Sequence, residues 1–310
     1  MRGIIFLVFL CCIFSYSCQK DNEDEYDKRL ISITMLTKRG DSKPFETNYL
    51  FEYDTQGRII KVNDQLYHYG KNGKVDYSRI NTRSQNNGLI REKIIRLSYH
   101  WDEQNRLKNI LVDSLYHKLF SVSEGINVIH EESLVKNVLL SSFFYTSGAV
   151  APTKIAYREW NESDGKIGMD EEVMYILEGE NIAKSKLYRH LMRPLPNNNG
   201  DLGYSGSNFY SFYRYSNLLN PFYSIYKQMG FNPISIHKVV SKNLENAFFS
   251  AVFEEKEIGN VRADWSKKTD VQITLGPEGR PETMSYVVKK DIPAVKDFIP
   301  SEVLLNYVYE

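Results

Sequence analysis

Side chains that could carry out catalysis are scattered along this chain, without the spacing that common reactions require. No two of the six histidines have the His-x-x-x-His spacing of a helical metal site. A Gly-x-Ser-x-Gly nucleophile motif and the glycine-rich loops that hold phosphate are also missing from the sequence. All three cysteines fall within the first 18 residues. We therefore expect no catalytic residue, no metal site and no cofactor.

Paired carboxylates are the enzyme signal that the sequence does not exclude. Glycoside hydrolysis needs two acids about 5 to 10 Å apart, and these can come from any two positions in a chain. With 39 acidic residues, close pairs arise by chance. The densest clusters, Glu131–Glu132 and 170–172, are expected in solvated turns. A carbohydrate-active enzyme that uses scattered carboxylates is therefore kept as an alternative function.

A tyrosine-rich segment at 204–226 is the best candidate for contact with a ligand. Aromatic residues at alternate positions place rings on one face of a strand, where they could stack on sugars or on a protein partner. Tyrosines also pair across strands and stabilise sheets, and the 22 tyrosines of the whole chain favour this simpler explanation. The candidate ligand-stacking residues are Tyr204, Tyr210, Phe212, Tyr213 and Tyr215.

The N-terminus has the features of a lipoprotein signal peptide. Arg2 precedes an uninterrupted apolar run of eleven residues, Ile4–Phe14. Such a run is too short to cross a hydrocarbon core about 30 Å thick. Ser17 supplies the small residue that lipoprotein signal peptidase needs before a cysteine. We predict a signal peptide at 1–17 and lipidation of Cys18, which would anchor the protein to a membrane.

A short hydrophilic segment follows the lipidation site. Residues 18–27 are rich in acidic side chains and have no means of burying themselves, so they are predicted to form a tether. The sequence Cys-Gln-Lys-Asp-Asn-Glu resembles the surface-export signal of Bacteroidetes-type lipoproteins. This resemblance implies an outer-membrane location with the domain facing the cell surface. A domain that faces the periplasm is the alternative.

The remaining residues, 28–310, are expected to form one β-rich domain of successive hairpins. Apolar and polar residues alternate, as in strands with one buried face. Four turn centres recur at intervals of 16, 15 and 17 residues: Gly57, Gly73, Gly88 and Asn105. The predicted fold is all-β, with antiparallel hairpins forming a curled sheet or half-barrel and one or two short helices.

One helix and two less certain segments interrupt this pattern. Asn220 is a possible helix cap, Pro221 suits the first helical position, and Gly230 is placed to end a helix over 222–229. Residues 244–257 fit either a helix or a strand pair. Residues 138–151 are uncharged and are expected to form a buried strand.

A family resemblance rests on the turn motif. The sequence Phe-Glu-Tyr-Asp-Thr-Gln-Gly-Arg-Ile at 51–59 resembles the YD-type repeats of bacterial cell-surface proteins. Asn-Pro-Phe at 220–222 and Ser-Lys-Asn at 241–243 are similar to segments of an uncharacterised Bacteroidetes-type surface lipoprotein family with YD-like repeats. The similarity covers most of 28–310, and it is poor at 113–152. It implies a fold and a location, and no reaction.

Composition narrows the function class. The 39 basic and 39 acidic residues cancel, so no strong field favours nucleic acid as a partner. The hydrophobic fraction of 42% is that of an ordinary globular protein. We expect a lipid-anchored, non-catalytic surface or binding module for glycan or protein ligands. A purely structural envelope protein is a further alternative.

Overall fold

The computed structural model describes residues 29–123, 125–149, 151–160, 167–194, 202–235, 238–256, 260–265, 268–288 and 301–310. The predicted signal peptide and tether lie outside these ranges. The described part contains seventeen strands and one short helix, α1 (Tyr223–Met229). The strands are β1 (Leu30–Arg39), β2 (Phe45–Tyr53), β3 (Ile59–Val62), β4 (Gln65–Tyr69), β5 (Val75–Asn86), β6 (Leu89–Trp101), β7 (Leu107–Ser123), β8 (Ile126–Phe144), β9 (Lys154–Trp160), β10 (Ile167–Glu178), β11 (Asn181–Pro194), β12 (Leu202–Leu219), β13 (Asn243–Lys256), β14 (Asn260–Trp265), β15 (Thr269–Leu275), β16 (Pro281–Val288) and β17 (Ser301–Tyr309).

Antiparallel pairing joins these strands into a closed ring. Each strand pairs with the next along the chain, except that β14 and β15 pair with two successive stretches of β13. The seventeen strands therefore occupy sixteen positions. β1 pairs with both β2 and β17, so the ring has no free edge and forms a barrel. The all-β prediction is confirmed, whereas the predicted half-barrel is wrong. Alternating residues predict strands but do not reveal that the first and last strands pair.

The predicted turns occur, and several share one geometry. Gly57, Gly73, Gly88 and Asn105 all have positive φ, between 59° and 78°. In the turn after β2, Asp54 N donates to Arg58 O at 2.9 Å and Gly57 N donates to Asp54 O at 3.0 Å. The same two hydrogen bonds form in the turns after β4, β6 and β15. Because neighbouring strands are antiparallel, these four turns lie at one end of the barrel, which we call the lower end.

A repeated hydrogen bond from an aromatic side chain stabilises the lower end of the barrel. Tyr53, the last residue of β2, donates its hydroxyl hydrogen bond to Leu30 O at the start of β1, at 2.7 Å. Five further strand ends repeat this bond with an aromatic donor: Tyr69 to Ile59 O, Trp101 to Val75 O, Tyr145 to Leu107 O, Tyr215 to Ile182 O and Tyr309 to Pro281 O. The turn motif of the sequence therefore marks a structural element, in which aromatic residues hold the open ends of hairpins together.

An insertion between β12 and β13, residues 220–242, fills the barrel near this end, and we call it the plug. On one wall, the ring of Phe231 stacks on Tyr99 with centroids 4.8 Å apart, and Gln228 Nε2 donates to Gly57 O at 2.9 Å. On the other wall, Ile182 N donates to Ser241 Oγ at 3.1 Å. The plug therefore contacts both sides of the lumen. Its buried side chains form one core with those of the strands.

The predicted helix lies within the plug. It begins at Tyr223, with Phe222 as its N-cap, and ends at Gly230, which has a φ of 75°. The predicted end is confirmed. The predicted start is wrong, because Phe222 and not Asn220 is the N-cap, and Tyr223 and not Pro221 is the first helical residue. Asn220 Oδ1 accepts a hydrogen bond from Phe222 N at 3.0 Å, so this side chain caps the turn that precedes the helix.

Four other segments differ from expectation. Residues 244–256 lie in the single strand β13, so the helical alternative is wrong there. β8 ends at Phe144, which is 48% exposed, so the segment 138–151 is only partly a buried strand. The acidic clusters lie in strands and not in turns: Glu131–Glu132 in β8, and 170–172 in β10, where Glu171 is buried. Each side chain of a strand takes the face that its register dictates, whatever its polarity.

Candidate functional site

The structure does not bring the five predicted stacking residues onto one face. Tyr210 and Phe212 alternate along β12 with inward-facing residues, so their rings lie on the outside of the barrel. There the ammonium group of Lys184 lies 5.0 Å from the Tyr210 ring centroid and 5.1 Å from that of Phe212. These rings are therefore already in contact with a cation.

The other three candidates lie elsewhere. Tyr213 faces the lumen, where its hydroxyl lies 3.1 Å from Ser185 Oγ. Tyr215 is held by the strand-end hydrogen bond described above and by Ser241 Oγ at 2.8 Å. The side chain of Tyr204 lies outside the described residues. Of the described members of the predicted set, Tyr213 lines a cavity.

That cavity lies inside the barrel and has a volume of about 570 Å³. This is within the range of about 300 to 1,000 Å³ typical of small-molecule sites. Strands β9 to β13 and β16 form its wall, together with the plug. Its aromatic lining consists of Tyr157, Tyr175, Tyr213, Tyr286 and Phe248. Aliphatic side chains of β10 and β11 complete the apolar part of the wall.

Hydroxyl groups supply most of the polar lining. Ser185, Ser211 and Ser235 line the cavity beside the tyrosines. Burial raises the pKa of Tyr286 to about 12 and that of Tyr213 above its ordinary value. The phenols therefore remain protonated at neutral pH, and each can donate one hydrogen bond and accept others.

One carboxyl group, that of Glu245, lines the same cavity. Glu245 lies opposite Tyr215 in the pairing of β12 with β13, which turns its side chain into the lumen. Burial raises its pKa to about 7, and the nearby Lys238 ammonium opposes this shift. Neither group forms a hydrogen bond or ion pair through its side chain to any described residue. We therefore expect Glu245 to change charge near neutral pH.

This carboxyl group should make stability depend on pH. Its pKa is higher in the folded protein than the ordinary glutamate value of 4.5, so the wild type should lose stability relative to Glu245→Gln as pH rises from about 4.5 through 7. The loss should approach about 1.4 kcal/mol for each pH unit between the two pKa values. The groups that face Glu245 are the Lys238 ammonium and the neutral phenols of Tyr213, Tyr215, Tyr286 and Tyr307.

Urea unfolding between pH 4 and pH 8 measures this difference. Glu282→Gln, which removes an exposed carboxyl on β16, is the matched control and should follow the wild type. Parallel pH profiles for the wild type and Glu245→Gln would contradict the assignment of a raised pKa.

Sequence reasoning missed both charged groups of the cavity. Glu245 directly follows Leu244 and lies two residues before the apolar run Ala247-Phe248-Phe249, and the available signal was a single acid close to this run. That signal has a meaning only once the segment is known to be a strand with a lumen-facing side. Among the described side chains, no three His, Cys, Asp or Glu residues lie close enough to hold a metal ion.

No protein-family model and no curated protein matches this chain. Among solved structures, it is similar to a porin-like protein from Bacteroides vulgatus, with 13% identity, a TM-score of 0.38, and coverage of 92% of this chain and 99% of that chain. A porin-like protein from Bacteroides uniformis gives 10% identity, a TM-score of 0.35, and coverage of 91% and 98%. Agreement at this level carries no conclusion about the function of this chain. None of the described helices is long and apolar enough to cross a membrane.

Proposed function

We propose that this protein is a non-catalytic binding protein of the cell envelope. In this proposal a lipid on Cys18 attaches it to the outer membrane, its domain faces the cell surface, and its lumen cavity holds a small glycan ligand. The observation that carries the proposal is the lumen cavity, where tyrosine rings and serine hydroxyls lie together on an apolar wall.

The lining suits a carbohydrate. Sugar rings present apolar C–H faces, which pack against aromatic rings, and a rim of hydroxyls, which need hydrogen-bond partners. Tyr213 and Tyr286 offer both kinds of contact from adjoining parts of the wall. A cavity of about 570 Å³ accommodates a small ligand and excludes a folded protein partner.

The plug supports binding rather than passage. It contacts the wall at Gly57 on one side and at Ile182 on the other. Met229 and Phe231 within it are each only 1% exposed, so the lower end is packed with side chains. A lumen that is filled at one end suits retention of a ligand.

The outer surface supports attachment through a lipid. A barrel that spans a membrane presents an apolar band about 25 Å tall to the lipid. Here ion pairs lie on the outer face, and they include Lys61 with Glu52 and Lys154 with Glu172. Arg96 and Asp113 form a third, at 3.4 Å. Charged pairs on several strands favour contact of this surface with water.

The alternative of a glycoside hydrolase has less support in this cavity. Such enzymes generally use two carboxyl groups that flank the scissile bond. Among the described residues that line the cavity, Glu245 is the one that carries a carboxyl group. A single acid suits ligand recognition, and product analysis separates the two functions.

The test is a calorimetric titration of the domain, without its lipid anchor, with a panel of defined mono- and oligosaccharides, which measures the affinity for each saccharide. Ser235→Trp should block the cavity and abolish binding, because Ser235 lines it from the plug. Ser84→Trp adds the same side chain at an exposed position on β5 and should leave binding unchanged. Failure of every saccharide to bind would refute the proposal, and release of new reducing ends that Glu245→Gln abolishes would replace it with the hydrolase.

A further inference from the structure

Two opposite charges line the cavity without pairing with each other. Glu245 projects from β13 in the wall, and Lys238 belongs to the plug. Both side chains line the same cavity, yet neither forms an ion pair with a described residue. A buried carboxyl group normally finds a charged or hydrogen-bonding partner, because leaving it unpaired costs free energy. Among the described residues, the cavity therefore presents a largely buried acid without a partner and, at its exposed edge, a solvent-accessible ammonium.

The polar groups beside Glu245 and Lys238 differ in whether they already have a hydrogen-bond partner. Tyr213 and Ser185 are hydrogen-bonded to each other, so part of the wall is already satisfied. Tyr286 packs edge-on against Phe248, with ring centroids 5.3 Å apart, and its hydroxyl has no partner among the described residues. Among the described lining residues, a ligand can therefore pair with the Glu245 carboxyl, the exposed Lys238 ammonium and the Tyr286 phenol around an apolar wall.

We propose that the ligand is an amino sugar that also carries an acid group. Its ammonium would pair with Glu245 and its acid group with Lys238, while the sugar ring packs between Tyr286 and Tyr213. This inference rests on the proposed function, because it names the class of glycan that the same cavity holds.

The energetics favour a ligand with both charges. Burial holds the pKa of Glu245 at about 7, so the empty cavity keeps this group partly protonated. A ligand ammonium would stabilise the carboxylate through a charge-assisted hydrogen bond, which is about twice as strong as a neutral one. An ammonium alone would also meet repulsion from Lys238, and an acid alone would meet repulsion from Glu245. A ligand with one group of each sign satisfies both residues.

Four commercially available sugars with a common ring test this directly. Glucose carries neither charge, glucosamine carries the ammonium, N-acetylmuramic acid carries the carboxylate, and muramic acid carries both. Calorimetry or ligand-observed NMR at pH 7.5 should show the highest affinity for muramic acid. We expect the affinity to fall about tenfold or more when either charge is removed from the ligand.

Variants assign each charge to its partner. Glu245→Gln should lower the affinity for muramic acid and abolish its advantage over N-acetylmuramic acid. Lys238→Gln should lower the affinity for muramic acid and abolish its advantage over glucosamine. Glu282→Gln and Lys108→Gln remove exposed charges outside the cavity and should leave all four affinities unchanged.

The outcomes separate this inference from the proposed function. Equal affinities for the four sugars, or tighter binding of glucose, would overturn the proposal that the ligand is an amino sugar with an acid group. Either result would leave a glycan-binding cavity in place. If no saccharide in this series or in the neutral panel binds, both proposals fail. The ligand series on the wild type decides the matter even if a variant does not fold.

Discussion

Gly230→Ala is expected to lower the free energy of unfolding by about 2 to 4 kcal/mol, from backbone strain and overpacking together. Gly230 ends α1 with a φ of 75°, a conformation that residues with a Cβ rarely adopt. A Cβ at this position would lie 2.8 Å from two atoms of the Trp101 ring. The ring has little freedom to move, because Trp101 Nε1 donates to Val75 O at 2.8 Å. The substitution should therefore loosen the contact between the plug and β6.

Gly73→Ala provides the matched control. Gly73 has nearly the same φ, 73°, and a Cβ there would meet nothing within 4 Å. Its cost should be limited to backbone strain, about 1 to 2 kcal/mol. Urea unfolding of both variants isolates the contribution of the Trp101 contact. Equal losses of stability in the two variants would contradict the close contact between Gly230 of the plug and the Trp101 ring.

Cys18→Ser is expected to move the protein from the membrane fraction to the soluble fraction. A single acyl chain binds a bilayer only weakly, so stable attachment requires the several chains of a modified N-terminal cysteine. Fractionation of cells and intact-mass measurement of the mature N-terminus record the two parts of this change.

Two neighbouring cysteines serve as controls for the lipidation site. Cys11→Ser and Cys12→Ser alter the apolar run that should be removed, so both variants should keep a lipidated mature protein of unchanged mass. If Cys18→Ser remains in the membrane fraction, the lipid anchor proposed at that residue is wrong. Protease treatment of intact cells tests the surface orientation separately, and full protection of the domain would favour the periplasmic side.

Local sequence signals predicted the elements of this fold well. The positive φ of Gly57 and Asn105 follows from turn chemistry that is contained within a few residues. The end of α1 at Gly230 follows in the same way. Closure of the barrel was not predictable from such signals, because it depends on β1 meeting β17 at the far end of the chain.

The candidate site shows the same division. Tyr213 was found by its residue type, yet Tyr210 was placed with it although the alternation of a strand sends the two rings to opposite faces. Glu245 and Lys238 were not found, since one lies in a strand and the other in the plug, and only the tertiary fold brings them to one cavity. Sites assembled from separate elements have no signature in any short segment.

The pairing of β1 with β17 also governs when the barrel can form. Leu30 lies opposite Tyr309, so β1 remains without one neighbour until the residues of β17 have been synthesised. Until then, the N-terminal hairpins expose backbone groups that can associate with other chains. Assembly must therefore be late and slow, as contacts between distant segments require. Deletion of β17 would leave β1 and β16 each with an unpaired edge that can associate with other chains.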